Sequence, residues 1–183
     1  LDREKGVDLL LEAFARMPTP GSLHLAGVGP CRDALEALVR DLGLDDRVHF
    51  LGWLDREAIA QELALAWALV VPSLWAEPLG MVAQEAIAAG VPVIASASGG
   101  LAEIVGEGRH GLLFANGDGP ALTECLMQIA TGADFPEHRL RAGDLEEMAQ
   151  RFEPGNTLMR WREILATAAA MGGSTGGGSR SQR

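Results

Sequence analysis

Short apolar runs alternate along this chain with longer segments of helical periodicity, and this alternation is the feature that most restricts its fold. The runs lack the strict apolar–polar alternation of a sheet with one solvated face, so they fit a buried parallel sheet. Repeated β-α units build such sheets with helices on both faces, and the pattern therefore predicts a doubly wound α/β fold. The five candidate strands are Leu23–Ala26, Val48–Leu51, Ala68–Val71, Val91–Ala95 and Gly111–Phe114.

The segments between the runs have helical patterns. Gly43 and Gly90 follow two of them, as helix-ending glycines do, and Asp55 is suited to cap a third. A doubly wound domain normally opens with a strand, whereas loop-like Leu1–Gly6 leads straight into a helix here. We therefore expect one strand to be absent. The candidate helices are Val7–Met17, Cys31–Leu42, Arg56–Leu65, Met81–Ala89 and Leu101–Val105.

After Phe114 the pattern becomes wholly helical, with candidates at Pro120–Thr131, Pro136–Gln150 and Asn156–Met171. The last residues are rich in glycine and serine and cannot bury apolar surface. We expect residues 1–152 to form the α/β domain, residues 153–171 to form a helix that packs back on it, and residues 172–183 to form a disordered tail.

Composition excludes several classes of function. The chain has 25 acidic and 15 basic residues, and this balance argues against nucleic-acid binding, which needs a basic surface. No apolar run reaches the ~18 residues of a membrane span. Two distant cysteines with no Cys-x-x-Cys motif fit a reduced, cytoplasmic setting. No cluster has metal-ligand spacing, so we predict no protein-bound metal.

The segment Pro72–Glu85 carries the strongest functional signal. It follows a predicted strand, and ligands of open α/β sheets bind beyond the carboxyl ends of the strands. Pro78 is suited to the first turn of a helix, so Gly80, Met81 and Val82 would present free backbone N–H groups at a helix N-terminus. Such an arrangement predicts a phosphate or diphosphate site.

Glu77 and Glu85 lie on either side of this predicted helix start, with Glu85 about two turns inside the helix. Carboxylates accept hydrogen bonds in a fork that matches the vicinal hydroxyls of a ribose or a hexose. The pair therefore fits a nucleotide sugar. Taken alone, however, two glutamates at this spacing are more often solvated residues of a helix surface.

Several further motifs occur in a fixed order around this segment. They are Glu4-Lys5-Gly6, Gly27-x-Gly29, Val48-x-Phe50-x-Gly52, Pro72-Ser73, Glu77-Pro-x-Gly80, Glu85-Ala86, Ala88-x-Gly90-x-Pro92-Val93 and Gly99-Gly100-x-x-Glu103. In this order they resemble retaining glycosyltransferase family 4, and the resemblance covers about residues 1–152. It implies a GT-B architecture, in which two Rossmann-like halves face each other across a cleft. The chain resembles the C-terminal, donor-binding half.

The resemblance also implies a function. Members transfer a sugar from a nucleotide sugar, with UDP, GDP or ADP as carrier, to an acceptor with retention of configuration, and they generally need no metal or other cofactor. The missing partner would be the N-terminal, acceptor-binding half. Members usually carry a strand and a Gly-Arg pair before Glu-Lys-Gly, and the chain starts after both. We therefore expect weak donor affinity and no transfer by this chain alone. The resemblance leaves membrane association of the full-length enzyme open.

By the same resemblance, Lys5 contacts the donor diphosphate, Glu85 takes the ribose hydroxyls, and Glu77 holds the donor sugar and lies closest to the chemistry. The backbone of Leu79, Gly80, Met81 and Val82 contacts the diphosphate and the sugar. Trp53 and Leu54 correspond to the loop at the edge of the nucleobase, and Gly29 permits close approach of the ligand.

Other interpretations remain open. A non-catalytic nucleotide-sugar-binding module and a GT-B epimerase share much of this pattern. Gly27–Gly29 fits a tight turn as well as a ligand contact, Gly99-Gly100 fits a structural loop, and Trp53 fits a packed surface aromatic. We expect Trp75 to serve in packing. Among the histidines, the pattern predicts packed side chains for His24 and His49 and exposed ones for His110 and His138.

Overall fold

The computed structural model describes residues 1–18, 21–106 and 108–151, with side chains described up to residue 146. All five predicted strands are present, and their bounds differ from the expected ones by no more than two residues. The strands are β1 (Leu23–Ala26), β2 (Val48–Gly52), β3 (Leu69–Val71), β4 (Val93–Ser96) and β5 (Gly111–Phe114).

The described helices also match the sequence pattern. The Asp55 side chain accepts a hydrogen bond from the Ala58 amide at 2.9 Å and so caps α3, as predicted. Asp118 caps α6 in the same way. The helices are α1 (Val7–Ala15), α2 (Arg32–Asp41), α3 (Arg56–Leu65), α4 (Met81–Ala88), α5 (Leu101–Val105), α6 (Gly119–Thr131) and α7 (Ala142–Arg151).

The structure corrects one helix. The segment Pro136–Gln150, expected as one helix, is a 3₁₀ turn at Pro136–His138 followed by α7 from Ala142. Glu137 and His138 have φ values of 57° and 55°, and a left-handed backbone cannot continue a right-handed helix. The predicted helix Asn156–Met171 lies outside the described residues.

The strands are parallel but form two ladders rather than the single sheet that we expected. One ladder is β1–β2, and the other has the order β3–β4–β5. Within the described residues, no strand pairs with the second edge of β1 or of β3, and nothing therefore joins the two ladders. Parallel sheets flanked by helices nevertheless confirm the Rossmann-like α/β fold.

The hydrophobic core lies around the three-stranded ladder. All four residues of β4 are buried, whereas β1 buries only Leu25. Helices α5 and α6 pack on β4 and β5, and α1 packs on α2 and α6. The fully buried large residues of this core include Leu11, Ile87, Ile94, Leu101 and Leu122.

The chain divides into two compact units, residues 1–145 and residues 146–183. Only Glu146–Arg151, the end of α7, is described in the second unit. The domain boundary expected at residue 152 and the predicted tail fall outside the described residues. In the described part of the chain, no helix combines the length and apolar character that a membrane span requires.

Gly111 offers a test of the β4–β5 ladder. A Cβ atom built on this residue would lie 1.8 Å from the Val93 carbonyl oxygen, so the two strands could not keep their spacing. We expect Gly111→Ala to lower the free energy of unfolding by about 1–3 kcal/mol or more, measured by urea denaturation. Gly21→Ala is the matched control, because among the described residues a Cβ there meets no atom within 4 Å. Equal stability of the two variants would contradict this packing.

Candidate functional site

The loop between β3 and α4 lies at the carboxyl edge of the three-stranded ladder. Because β3, β4 and β5 are parallel and in register, the residues that follow each strand meet at this same edge. Ligands bind at such edges in open α/β sheets. The loop runs from Pro72 to Gly80 and contains Glu77, the predicted sugar-binding acid.

Four backbone carbonyls of this loop accept hydrogen bonds from the neighbouring strands. One donor is the last residue of β4, two donors follow β4, and one follows β5. Backbone carbonyls need partners when they leave solvent, so these donors determine the path of the loop. The pairs are Ser96 Oγ to Ser73 O at 2.7 Å, Asn116 Nδ2 to Leu74 O at 2.9 Å, Ser98 Oγ to Trp75 O at 2.9 Å and Gly100 N to Glu77 O at 2.7 Å.

The Gly99-Gly100 pair lets the chain after β4 approach this loop closely. A Cβ at Gly99 would lie 2.4 Å from the Glu77 carbonyl oxygen, and one at Gly100 would lie 2.6 Å from that of Pro78. Any larger residue would force the two segments apart. The contacts support the structural interpretation of the two glycines. They also hold the backbone of Glu77 against the segment that follows β4.

The Glu77 carboxylate receives three hydrogen bonds on one oxygen atom. Lys5 Nζ lies 2.5 Å, Ser73 Oγ 2.9 Å and Trp75 Nε1 3.1 Å from Oε1. In the part of the chain that the structure describes, no donor contacts Oε2. The side chain of Glu77 is 15% exposed, and its unpartnered Oε2 is not a buried atom, so Oε2 is available to a ligand.

The surroundings of Glu77 lower the pKa of its carboxyl group. Burial, the largest single influence, raises the pKa, but it is outweighed by the hydrogen bonds from Lys5, Ser73 and Trp75 together with the charge of Lys5. Glu77 is therefore ionised at neutral pH. An ionised carboxylate accepts hydrogen bonds and cannot donate one, which suits the binding of hydroxyl groups.

Lys5 reaches Glu77 across 72 residues of sequence. It ends a 3₁₀ turn, and Gly6 follows with a φ of 63°. A Cβ on Gly6 would lie 2.2 Å from the Pro72 carbonyl oxygen, so this glycine brings Lys5 against the loop. The Leu74 amide donates to the Glu4 carbonyl at 2.8 Å and holds the same contact. Lys5 is the only lysine in the sequence.

The N-terminus of α4 supplies free amide groups beside Glu77. Gly80 precedes the helix with a φ of 51°, and it packs against Leu101 so closely that a Cβ would lie 2.7 Å from that side chain. Among the described residues, no acceptor binds the N–H groups of Leu79, Gly80, Met81 or Val82. Free N–H groups at a helix N-terminus are able to bind an anion.

Glu85 is exposed and does not take part in this hydrogen-bonded cluster. It is the fifth residue of α4, slightly more than one turn from the helix start, and not the two turns that we expected. The difference arises because Glu77 and Pro78 belong to the loop and not to the helix. The structure describes no contact between the Glu85 side chain and Glu77 or Lys5.

The remaining predicted residues lie at the carboxyl ends of β1 and β2. Gly29 packs against Leu1: a Cβ built on Gly29 would lie 2.1 Å from the Leu1 nitrogen. Trp53 directly follows β2 and is 74% exposed, so its ring is not packed. Leu54, beside it, is half-buried. Gly29, Trp53 and Leu54 lie at the same edge of the β1–β2 ladder, because Ala26 at the end of β1 and Gly52 at the end of β2 are register partners.

Trp75 is the residue that the sequence interpretation missed. We expected it to pack, but its side chain is 39% exposed, its indole N–H donates to Glu77, and its ring centroid lies 5.3 Å from Lys5 Nζ. Ser96, Ser98 and Asn116 were not predicted either. Their signal is a polar residue at, or directly after, the end of a buried strand.

The histidine predictions were wrong at all four positions. His138, which we expected to be exposed, is half-buried, and its ring stacks on Trp67. His24 and His49 are exposed register partners on β1 and β2, and His24 Nδ1 lies 2.6 Å from Glu62 Oε2. His110 is buried, with its ring nitrogens 3.0 and 3.3 Å from the carbonyl oxygens of Ile104 and Asp144. Period-2 patterns place a residue on a face of a strand, but they do not reveal whether that face is covered.

The described residues contain no group of three or more His, Cys, Asp or Glu side chains that could hold a metal ion. Both cysteines, Cys31 and Cys125, are free thiols. The site therefore consists of one cation, one ionised acid and four free amides at the edge of a parallel sheet. This arrangement is typical of α/β domains that bind phosphate esters.

Comparison with known proteins agrees with this class. The family described as glycosyl transferases group 1 matches residues 1–144. The chain belongs to this family. It is 36% identical over 179 residues to the MMP alpha-(1->4)-mannosyltransferase of Mycolicibacterium hassiacum, with coverage of 91% of this chain and 42% of the relative. It is 39% identical to the D-inositol 3-phosphate glycosyltransferase of Mycolicibacterium smegmatis, with coverage of 80% and 34%.

Solved protein structures also align with this chain over less than half of their own length. Sucrose-phosphate synthase from Thermosynechococcus elongatus aligns with a TM-score of 0.76 and 34% identity, with coverage of 93% of this chain and 44% of that protein. HepE of Anabaena in complex with UDP-glucose aligns with a TM-score of 0.75 and 28% identity, with coverage of 91% and 46%. The chain thus spans less than half the length of these relatives.

Ser96 tests the hydrogen bonds that hold the loop. Ser96→Ala would leave the carbonyl of buried Ser73 without its donor, at a cost of about 1–3 kcal/mol in the free energy of unfolding. Denaturant titration measures this loss. The same substitution at exposed Ser22 should change stability by less than about 0.5 kcal/mol. A Ser96→Ala protein as stable as Ser22→Ala would show that this bond does not hold the loop.

The lowered pKa of Glu77 predicts a pH-dependent contribution to stability. A carboxyl group whose pKa is lower in the folded state stabilises that state above its ordinary pKa, and the contribution disappears as the pH falls through the folded pKa. We therefore expect the stability difference between the wild type and Glu77→Gln to shrink on acidification below the ordinary value of 4.5. Thermal unfolding at a series of pH values measures it, and a difference that grows on acidification would contradict the lowered pKa.

Proposed function

We propose that this chain is the donor-binding half of a glycosyltransferase that transfers a sugar from a nucleotide sugar to an acceptor with retention of configuration. The observation that carries the proposal is the ion pair of Lys5 and Glu77 beside the free amides of Leu79–Val82. A cation and a helix N-terminus suit a diphosphate, and an ionised acid next to them suits the hydroxyls of the attached sugar.

The diphosphate would lie between Lys5 and the start of α4. The Lys5 ammonium has three N–H donors and uses one on Glu77, so two remain for phosphate oxygens. Its side chain is 42% exposed and can be reached by a ligand. When the bond between the anomeric carbon and the diphosphate breaks, negative charge collects on the leaving group, and Lys5 and the amides would stabilise it.

The donor sugar would contact Glu77 through Oε2, since the other oxygen already accepts three hydrogen bonds. Glu85, exposed on α4, would accept the ribose hydroxyls, and Trp53 with Leu54 would flank the nucleobase. In a retaining reaction of this kind, the acceptor hydroxyl oxygen bonds to the anomeric carbon on the face that the diphosphate leaves. The bond between that carbon and the diphosphate breaks, and the hydroxyl proton passes to the departing diphosphate oxygen. We expect no metal to take part.

The donor nucleotide is UDP, GDP or ADP, and UDP is the first to test because the related HepE was solved with UDP-glucose. The acceptor would bind to a second, N-terminal half, since this chain spans less than half the length of its relatives. Alone, the chain would bind a donor without transferring the sugar. The cytoplasm is the setting that we propose for the enzyme.

Calorimetric titration of the purified chain with UDP, GDP and ADP tests this assignment. We expect one nucleotide to bind in preference to the others. Lys5→Ala removes charge-assisted hydrogen bonds worth about 1.5–3 kcal/mol each, so it should weaken binding roughly 10- to 100-fold. Glu85→Ala should weaken binding of the nucleoside diphosphate in the same direction, because the ribose hydroxyls lose their acceptor.

Two control substitutions match these changes in charge. Arg40 and Asp41 are exposed at the end of α2, which leads back from the carboxyl end of β1 to the start of β2 and so lies away from the site. Arg40→Ala and Asp41→Ala should leave the affinity unchanged. Equal losses in the controls and in the site variants, or no binding of any nucleotide by the folded wild type, would refute a donor site in this chain.

A further inference from the structure

Trp75 touches both charged residues of the proposed site. Its indole N–H donates to Glu77 Oε1 at 3.1 Å, and its ring centroid lies 5.3 Å from Lys5 Nζ, within the range of a cation–π contact. Its own carbonyl is held by Ser98 Oγ at 2.9 Å, so the backbone that carries the indole cannot shift freely. One aromatic side chain therefore contacts the proposed sugar-binding acid and the proposed diphosphate-binding cation.

The contact also determines which carboxylate oxygen a ligand meets. The three donors from Lys5, Ser73 and Trp75 converge on Oε1, and within the described residues none reaches Oε2. Lys5 can turn toward a phosphate, since ammonium groups donate in several directions. The indole N–H donates in one direction only and sits on a rigid ring. Together with Ser73 Oγ, which donates from the same loop at 2.9 Å, the indole N–H can keep Oε1 in place when Lys5 engages a ligand.

We propose that Trp75 is a positioning residue, which orients the Glu77 carboxylate so that Oε2 faces the sugar of a bound nucleotide sugar. This inference rests on the proposed function for the identity of the ligand, but the indole–carboxylate contact is testable without any ligand. Trp75 acts through Glu77 and does not itself contact the sugar. Its loss should therefore weaken binding of a nucleotide sugar more than binding of the nucleoside diphosphate alone.

The first experiment uses the wild-type chain without ligand. The chain has four tryptophans, so ¹⁵N labelling gives four indole N–H signals, which individual Trp→Phe variants assign. We expect the Trp75 signal to change with pH at the same midpoint as the ¹³C carboxyl signal of Glu77. The Trp67 signal is the internal control, because that ring stacks on His138 and does not contact Glu77. A Trp75 signal that ignores the Glu77 titration would overturn the proposal.

The second experiment compares Trp75→Phe with Trp67→Phe. Trp75→Phe keeps an aromatic ring but removes the N–H donor, so the Glu77 midpoint should move to higher pH. Binding of UDP-glucose should weaken roughly fivefold to tenfold, the net loss expected for one typical hydrogen bond, because Trp75 acts only through Glu77. Binding of UDP should change less than about twofold. Trp67→Phe should change neither the midpoint nor the affinity.

The outcomes separate the two proposals. A wild type that binds no nucleotide, but in which Trp75 and Glu77 titrate together, would refute the proposed function and leave the positioning contact standing. A wild type that binds UDP-glucose, combined with a Trp75→Phe variant of unchanged midpoint and affinity, would refute the positioning role alone. Equal losses of UDP and UDP-glucose affinity in Trp75→Phe would also refute it, since they indicate a general structural effect. If Trp75→Phe fails to fold, the wild-type titration decides.

Discussion

The hydrogen bonding of the loop after β3 is the constraint on which the rest of the site depends. A loop at the edge of a sheet has backbone carbonyls that no strand partner satisfies. Here four of them are satisfied by Ser96, Ser98, Gly100 and Asn116, which follow the neighbouring strands or end one of them. The parallel register brings these donors to one edge, and the loop therefore has one path.

The geometry of Glu77 follows from that path. Ser73 and Trp75 belong to the same loop and donate to the carboxylate from within it, whereas Lys5 arrives from the start of the chain. The Lys5 side of this ion pair is 42% exposed, so water and salt screen part of its contribution to stability. Its importance is positional, since it holds the only lysine of an acidic chain beside four free amides.

Local patterns predicted most of the fold. The lengths of the apolar runs, the glycines that end helices and the cap at Asp55 act over a few residues. All five strands that they predicted are present, and so are the predicted helices up to Thr131. The errors at His24, His49 and His110 arose where the answer depends on other parts of the chain. His24 and His49 lie on a face of β1 and β2 that remains exposed. His110 is buried, and its ring nitrogens lie close to the carbonyl oxygens of Ile104 and Asp144. No local pattern contains that information.

The sequence by itself determined the α/β fold class, the order of strands and helices, and the place of Glu77, Gly80 and Glu85 around a loop at the end of a strand. These features follow from short-range periodicity and from backbone preferences of glycine and proline. Only the tertiary structure decided that Lys5 and Trp75 meet on one oxygen of Glu77, and that Glu85 takes no part in this contact. Contacts across 72 residues depend on how the elements pack, and packing involves all of them at once.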